Sequence, residues 1–146
     1  MRIFSFSLFV LAFLISTGWE TDIESAKHKA REEHKFILLN FSGSDWCGPC
    51  IRMHKDIFET DDFKKYADDN LVLVNADFPR LKKNQLSKDQ QKKNDALADK
   101  YNSKGIFPLT LLLAADGTVI QTWDGMPDKT AQQFIKQVKE LIDSHK

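Results

Sequence analysis

Hydrophobic positions along the chain follow two rhythms. Phe36-Ile37-Leu38-Leu39-Asn40-Phe41 and Leu71-Val72-Leu73-Val74-Asn75-Ala76 are nearly unbroken apolar runs, which predicts strands covered on both faces. Leu109 to Ala115 is a third such run. Asp116-Gly117 then marks a tight turn, and Thr118 to Trp123 alternates, so the pair predicts a β-hairpin. Between these runs the apolar positions recur at helical spacing. Ile23, Ala26 and Ala30 form a thin stripe on a helix that Thr21-Asp22-Ile23-Glu24, shaped like a capping box, starts near Asp22. Lys27, Lys29, Arg31 and Glu32 make its wet side, and His28 and His34 read as part of that solvated surface.

Met53, Ile57 and Phe58 point to the core from a helix starting at about Pro49. The cap residues of Glu59-Thr60-Asp61-Asp62 open a second short helix through Phe63, Tyr66 and Ala67. From Pro79 to about Lys93 the chain turns polar, which predicts an exposed connection leading into a polar helix that ends near Tyr101. Asp89, Asp95 and Asp99 dilute the lysines there, so this is a solvated surface rather than a docking site for an acidic partner. Phe134, Ile135, Val138, Leu141 and Ile142 mark a last helix, with Asp128 as its cap. The order helix, strand, helix, strand implies a parallel crossover, and the terminal hairpin adds antiparallel pairing. The class is therefore α/β, with a central mixed sheet flanked by helices.

The first residues change the compartment. Met1-Arg2 is a short basic start, Ile3 to Ile15 is apolar apart from Ser5 and Ser7, and Ser16-Thr17-Gly18 are small. This predicts a secretory signal peptide over residues 1–18, cut after Gly18, and one domain over residues 19–146. The apolar run is shorter than the roughly 20 residues a spanning helix needs. No cysteine follows it that a lipid anchor would use. The mature protein is expected to be periplasmic or secreted. Lys+Arg and Asp+Glu both count 21, so the basic excess that phosphate binding requires is absent and nucleic acid is not the expected partner.

Both cysteines of the protein lie in Trp46-Cys47-Gly48-Pro49-Cys50. One turn of helix brings their sulfurs together. Ser42-Gly43-Ser44-Asp45 is a turn that delivers them to the C-terminal end of a central strand, where function gathers in open α/β sheets. At a helix start, unpaired N–H groups favour a thiolate, so Cys47 suits the role of accessible attacking sulfur. Cys50 lies one turn in, shielded, placed to resolve a mixed disulfide. Pro49 has no N–H to lose in the first turn, and Trp46 offers a flat apolar wall. A disulfide closing so small a loop constrains the unfolded chain little. A redox role explains it better than a stabilising one.

The WCGPC segment resembles the active site of the thioredoxin superfamily. The resemblance implies a thioredoxin-like fold in which an N-terminal helix replaces the family's first strand and helix. It also implies a thiol–disulfide oxidoreductase with no cofactor beyond the redox-active Cys47–Cys50 disulfide. Phe107-Pro108 corresponds to the family's substrate-binding cis-proline, and Gly125, after Trp123-Asp124, resembles its groove glycine. Trp46, Gly48, Pro49, Phe107, Pro108 and Gly125 are thus the expected substrate-binding residues. Gly48-Pro49 resembles the dipeptide of reductases, which favours reduction of protein disulfides; the protein is expected to be a monomer. Outside the cytoplasm that direction needs a membrane or extracytoplasmic thiol donor.

One position departs from the family. Relatives carry a buried, proton-relaying aspartate where Asn40 stands here, and an amide takes no proton at neutral pH. Asp45, water, a substrate group or the more remote Glu33 is left to supply that role, and slower resolution by Cys50 is expected. The rival readings are a disulfide oxidase or isomerase of the same fold, a zinc site and a non-catalytic peptide-binding module. The zinc reading rests on Cys47, Cys50 and His54, which share one helical face but have no obvious fourth ligand.

Overall fold

The computed structural model describes residues 18–146. All but the last residue of the expected signal peptide therefore lies outside the described residues. Four strands, β1 (Phe36–Ser42), β2 (Leu71–Asp77), β3 (Leu109–Leu113) and β4 (Val119–Asp124), form one sheet in the order β2-β1-β3-β4. β1 runs parallel to β2, with Phe36 opposite Leu71 and Ser42 opposite Asp77. It runs antiparallel to β3, with Asn40 opposite Thr110 and Phe41 opposite Leu109. The sheet is mixed, as expected, and β1 is central.

Helices cover both faces because both faces of β1 are apolar. Leu38, Leu73 and Leu112 pack with Met53, Ile57, Phe58, Phe63, Phe134 and Val138. These come from α2 (Gly48–Met53) and its extension His54–Phe58, from α3 (Asp61–Asn70) and from α5 (Ala131–Asp143). On the other face Ile37, Leu39, Phe41, Val72 and Val74 meet Ala26, Ala30 and Leu97. Those come from α1 (Ile23–Glu32) and α4 (Lys88–Tyr101). Alternate residues of one strand thus feed two separate cores. Among the described residues no helix is long and apolar enough to cross a membrane.

Several boundaries differ from expectation. The N-cap of α1 is Asp22, which accepts from the Ser25 N–H at 2.9 Å; Thr21 is not the cap. α4 begins at Lys88 behind Ser87, well before Lys93, because a helix burying only Asn94 and Leu97 carries little apolar period. α5 starts behind Thr130 rather than Asp128, since Thr130 and Gln133 complete a reciprocal capping box. α2 does not run on as α-helix: from His54 to Phe58 it widens into a π turn. Ahead of α1, Glu20 pairs in parallel with the outer edge of β2, donating to the Leu73 carbonyl and accepting from Asn75 N–H. One residue of added strand precedes the N-terminal helix.

Candidate active site

Two carboxylates set the turn that carries the cysteines. Asp77 ends β2 opposite Ser42, and its Oδ1 accepts from the Ser44 N–H at 2.9 Å and from the Ser42 hydroxyl at 3.3 Å. Asp45 accepts from the backbone N–H groups of Arg80 and Leu81 at 2.9 Å and from the Asn84 amide at 3.0 Å. The Arg80 N–H bond foremost holds the Asp45 carboxyl below its ordinary value. Gly43 has no side chain for a steric reason: a Cβ there would collide with the Trp46 indole. Trp46 Nε1–H donates to the Phe78 carbonyl at 2.7 Å, and the Arg80 guanidinium lies 3.6 Å from the indole centroid. Phe107 stands edge-on to both Trp46 and Phe78, at 5.4 and 5.5 Å. Trp46, Phe78, Arg80 and Phe107 line an open cleft of about 620 Å³.

Cys47 is the N-cap of α2, and its Sγ accepts from the Cys50 N–H at 3.2 Å. The two cysteines form a disulfide, with Cα atoms 5.2 Å apart. Pro49 sits in the first turn without an N–H to satisfy, and both Gly48 and Pro49 are exposed. The expected contrast between an accessible Cys47 and a shielded Cys50 is not present in this oxidised form. The residues are 4% and 5% exposed. Next to them the exposed apolar side chain is Ile51, at 50%.

The Phe107–Pro108 peptide bond is cis. Because Leu109 pairs with Phe41, Pro108 comes to the sheet edge from which the cysteine turn departs. Gly125, at φ +75°, donates its N–H to the Pro108 carbonyl at 2.8 Å, so an L side chain there would be strained. Asn102 braces the approach, its side chain exchanging two 2.8 Å hydrogen bonds with the Ile106 backbone. The structure thus brings Trp46, Cys47, Cys50, Phe107, Pro108 and Gly125 to one edge.

Beneath the disulfide the chain is neutral. Asn40, 6% exposed, donates to Asn75 Oδ1 at 3.3 Å and accepts from the Thr110 hydroxyl at 3.0 Å. Asn75 Oδ1 also accepts from Ser42 at 3.0 Å. Neither carboxylate named as a substitute takes part in this network: Asp45 is bonded to the 80–84 loop, and Glu33 pairs with Lys35 at 2.6 Å, before β1 begins. A cavity of about 350 Å³ opens here, lined by Cys50, Asn40, Asn75, Trp19 and His54 among others. His54 Nε2 lies 3.1 Å from Glu59 Oε1. Among the described residues no group of three or more His, Cys, Asp and Glu side chains is gathered as a metal site would need.

Sequence reasoning passed over Trp19, Asn75, Asp77, Phe78, Arg80 and Asn102. Asp77 carries the one readable signal, a carboxylate at the end of a buried strand. The others reach the site through loops and sheet neighbours far apart in the chain.

Residues 18–115 match the family described as thioredoxin-like. Over 124 residues the chain is 38% identical to the disulfide bond reductase DsbH of Chlamydia pneumoniae, covering 85% of this chain and 72% of that protein. It is 26% identical over 129 residues to the thioredoxin-related protein DsbJ of Chlamydia pneumoniae, of which it spans only 36%. A solved structure of a DsbH oxidoreductase superposes with a TM-score of 0.78 at 30% identity, covering 88% of this chain and 85% of that one.

Proposed function

Since the chain belongs to the thioredoxin-like family, we propose that its Cys47–Cys50 dithiol reduces disulfides in protein substrates outside the cytoplasm. The protein is a thiol–disulfide oxidoreductase. The observation that carries the assignment of the site is Cys47 as N-cap of α2, disulfide-bonded to Cys50, at the same sheet edge as cis-Pro108. In the reduced protein Cys47 attacks a substrate disulfide as a thiolate, which the N–H of Cys50 stabilises. The mixed disulfide is then attacked by Cys50, which restores the intramolecular bond and frees the substrate thiol. The substrate segment runs extended past Pro108, between the Trp46–Phe107 wall and Gly125, with Gly48 and Pro49 exposed beside it. Asn40 departs from the family by holding this site from below as an amide.

The direction rests on the Gly48-Pro49 dipeptide and on the similarity to a protein named a reductase. Electrons would come from a membrane or extracytoplasmic thiol donor, and the protein would act as a monomer. The basic, apolar and small-residue order of residues 1–18 supports export with cleavage near Gly18. Insulin reduction by a chemical dithiol is the direct assay. Cys47→Ser is expected to abolish it, and Cys50→Ser to accumulate a protein–substrate mixed disulfide. Full activity of Cys47→Ser would sink the dithiol reading in favour of a binding module. Equilibration with glutathione tests direction: a potential near the roughly −120 mV of strong oxidants, rather than nearer the roughly −270 mV of thioredoxin, would overturn the reductase assignment.

A further inference from the structure

We propose that His54, held by Glu59, takes the thiol proton of Cys50 across the cavity they share. The inference rests on the dithiol reading above. It assigns the step that Asn40 leaves without a base.

The sheet side of the cavity carries only neutral groups: Asn40, Asn75, Ser42 and Ser44. None of these accepts a thiol proton at neutral pH. Asp77 is a carboxylate bonded to two of them, and its oxygens are taken by the Ser42 and Ser44 hydroxyls and by the N–H groups of Ser44 and Phe78. His54 is the lining residue that can act as a base near neutrality. It follows Cys50 by one turn of helix, so both side chains lie on one side of α2 and its extension. A cavity of about 350 Å³ whose lining includes the polar side chains of Asn40, Ser42, Ser44, Asn75 and His54 has room for several water molecules, each needing about 30 Å³. A proton can therefore pass between the two residues without direct contact.

The π turn explains how His54 is held. On a regular α-helix a residue five places on is rotated by about 140°, away from its partner. Here the Glu59 N–H donates to the His54 carbonyl at 2.8 Å, five residues back, and the wide turn sets Glu59 over His54. With Nε2 at 3.1 Å from Glu59 Oε1, the tautomer protonated on Nε2 is the one this carboxylate favours, and in it Nδ1 keeps its lone pair. Lys64, on α3, lies 2.8 Å from Glu59, and its hydrogen bond foremost keeps that carboxyl ionised below its ordinary range. From the N-terminal segment Trp19 packs near the ring, centroids 6.3 Å apart, and adds no charge. Cys50, His54 and Glu59 thus repeat the order of nucleophile, base and orienting carboxylate.

The step balances as follows. Within the Cys47–substrate mixed disulfide, the Cys50 thiol gives its proton to His54 Nδ1. The Cys50 thiolate attacks Cys47 Sγ; the Cys47–Cys50 bond forms and the Cys47–substrate bond breaks. The dithiol is oxidised by two electrons, the substrate sulfur leaves as a thiolate, and the imidazolium returns the proton to it.

Stopped-flow reaction of the reduced protein with dithiobis-nitrobenzoate separates the steps. The first thionitrobenzoate released reports attack by Cys47, and the second reports resolution by Cys50. His54→Gln should leave the first release unchanged and slow the second at least about tenfold at neutral pH, the gap closing as pH rises into the thiol range. Imidazole should restore the second release in His54→Ala. Glu59→Gln should slow it less and shift the acid limb of its profile. A second release in His54→Gln matching the wild type from about pH 6 to 9 would overturn the proposal. So would a slowed release with unchanged pH dependence and no rescue by imidazole. Absence of a first release from the wild-type protein would instead remove the dithiol reading, and this step with it.

Discussion

Asn40 shows how much one atom decides in a buried site. Its amide donates to Asn75 and accepts from Thr110, so each side of the group is used. Asn40→Asp would face Asn75 Oδ1 with a second acceptor, and burial would raise the new carboxyl above an exposed one. The folded state then holds its proton longer than the unfolded chain. Stability is retained at low pH and lost as pH rises through the ordinary carboxylate range and up to the raised value. Thermal melts should show a deficit of about 1–3 kcal/mol at neutral pH and little below about pH 3.9. The same carboxyl should speed second release in the His54→Gln background, by restoring a base on the sheet side. Tyr66 is the opposite case. Its buried hydroxyl has no hydrogen-bond partner among the described residues, and burial, with the charge of Asp143 behind it, pushes the phenol up to about 12. Unfolded tyrosine ionises first, so stability falls from about pH 10 upward. Tyr66→Phe should remove that alkaline loss and cost less than about 0.5 kcal/mol at pH 7, since no hydrogen bond is lost. A large loss at pH 7 would reveal a partner for the hydroxyl.

At the scale of elements, the site depends on a loop that no periodicity announces. The segment from Phe78 to Asn84 is fastened by Asp45 and carries Arg80 onto Trp46. Asp45→Ala should free three donors, loosen Arg80 from the indole and change tryptophan fluorescence while leaving the core intact. Insulin reduction is expected to fall severalfold through weaker substrate positioning. Because Asp45 titrates below its ordinary value in the folded protein, its contribution is present at neutral pH and lost as pH falls below the ordinary carboxylate range. An unchanged acid limb of the melting curve in Asp45→Ala would show that the loop gains nothing from the charge. The helices display the same lesson in their ends. α5 is written in the apolar spacing and α4 in a polar run, but Ser87 and Thr130, with Gln133 completing the second cap, choose where each begins. Caps are local bonds worth about 1 kcal/mol, and several adjacent polar residues competed for each.

The whole molecule is a sheet with two cores, and the site sits where α2 and its π extension leave one of them. Phe58, Phe63 and Phe134 pack ring against ring, and Trp123 joins at 5.0 Å from Phe134. Phe134 is fully buried, so Phe134→Ala removes a large side chain and leaves a cavity. The expected loss is about 3–5 kcal/mol by chemical denaturation, a large share of the roughly 5–15 kcal/mol that holds a domain. Rates of the first thionitrobenzoate release should change far less, because Cys47 is placed by its own helix cap and turn. A selective loss of that release in a still-folded variant would tie the cysteine turn to the α5 core instead.

The sequence by itself determined the order of elements, the central place of β1 and the cysteine pair, while the place of Pro108 opposite that pair came from the resemblance to the thioredoxin superfamily. The first three follow from periodicity and from residues whose chemistry is tied to short spacing: a continuous apolar run and a Cys-x-x-Cys turn. Only the tertiary structure decided what surrounds the pair. The neutral network of Asn40, Asn75 and Thr110 joins three strands, and the wide turn that sets Glu59 on His54 trades one hydrogen-bond register for another. Such contacts depend on how strands pair and helices wind, and no local pattern of residue types encodes them.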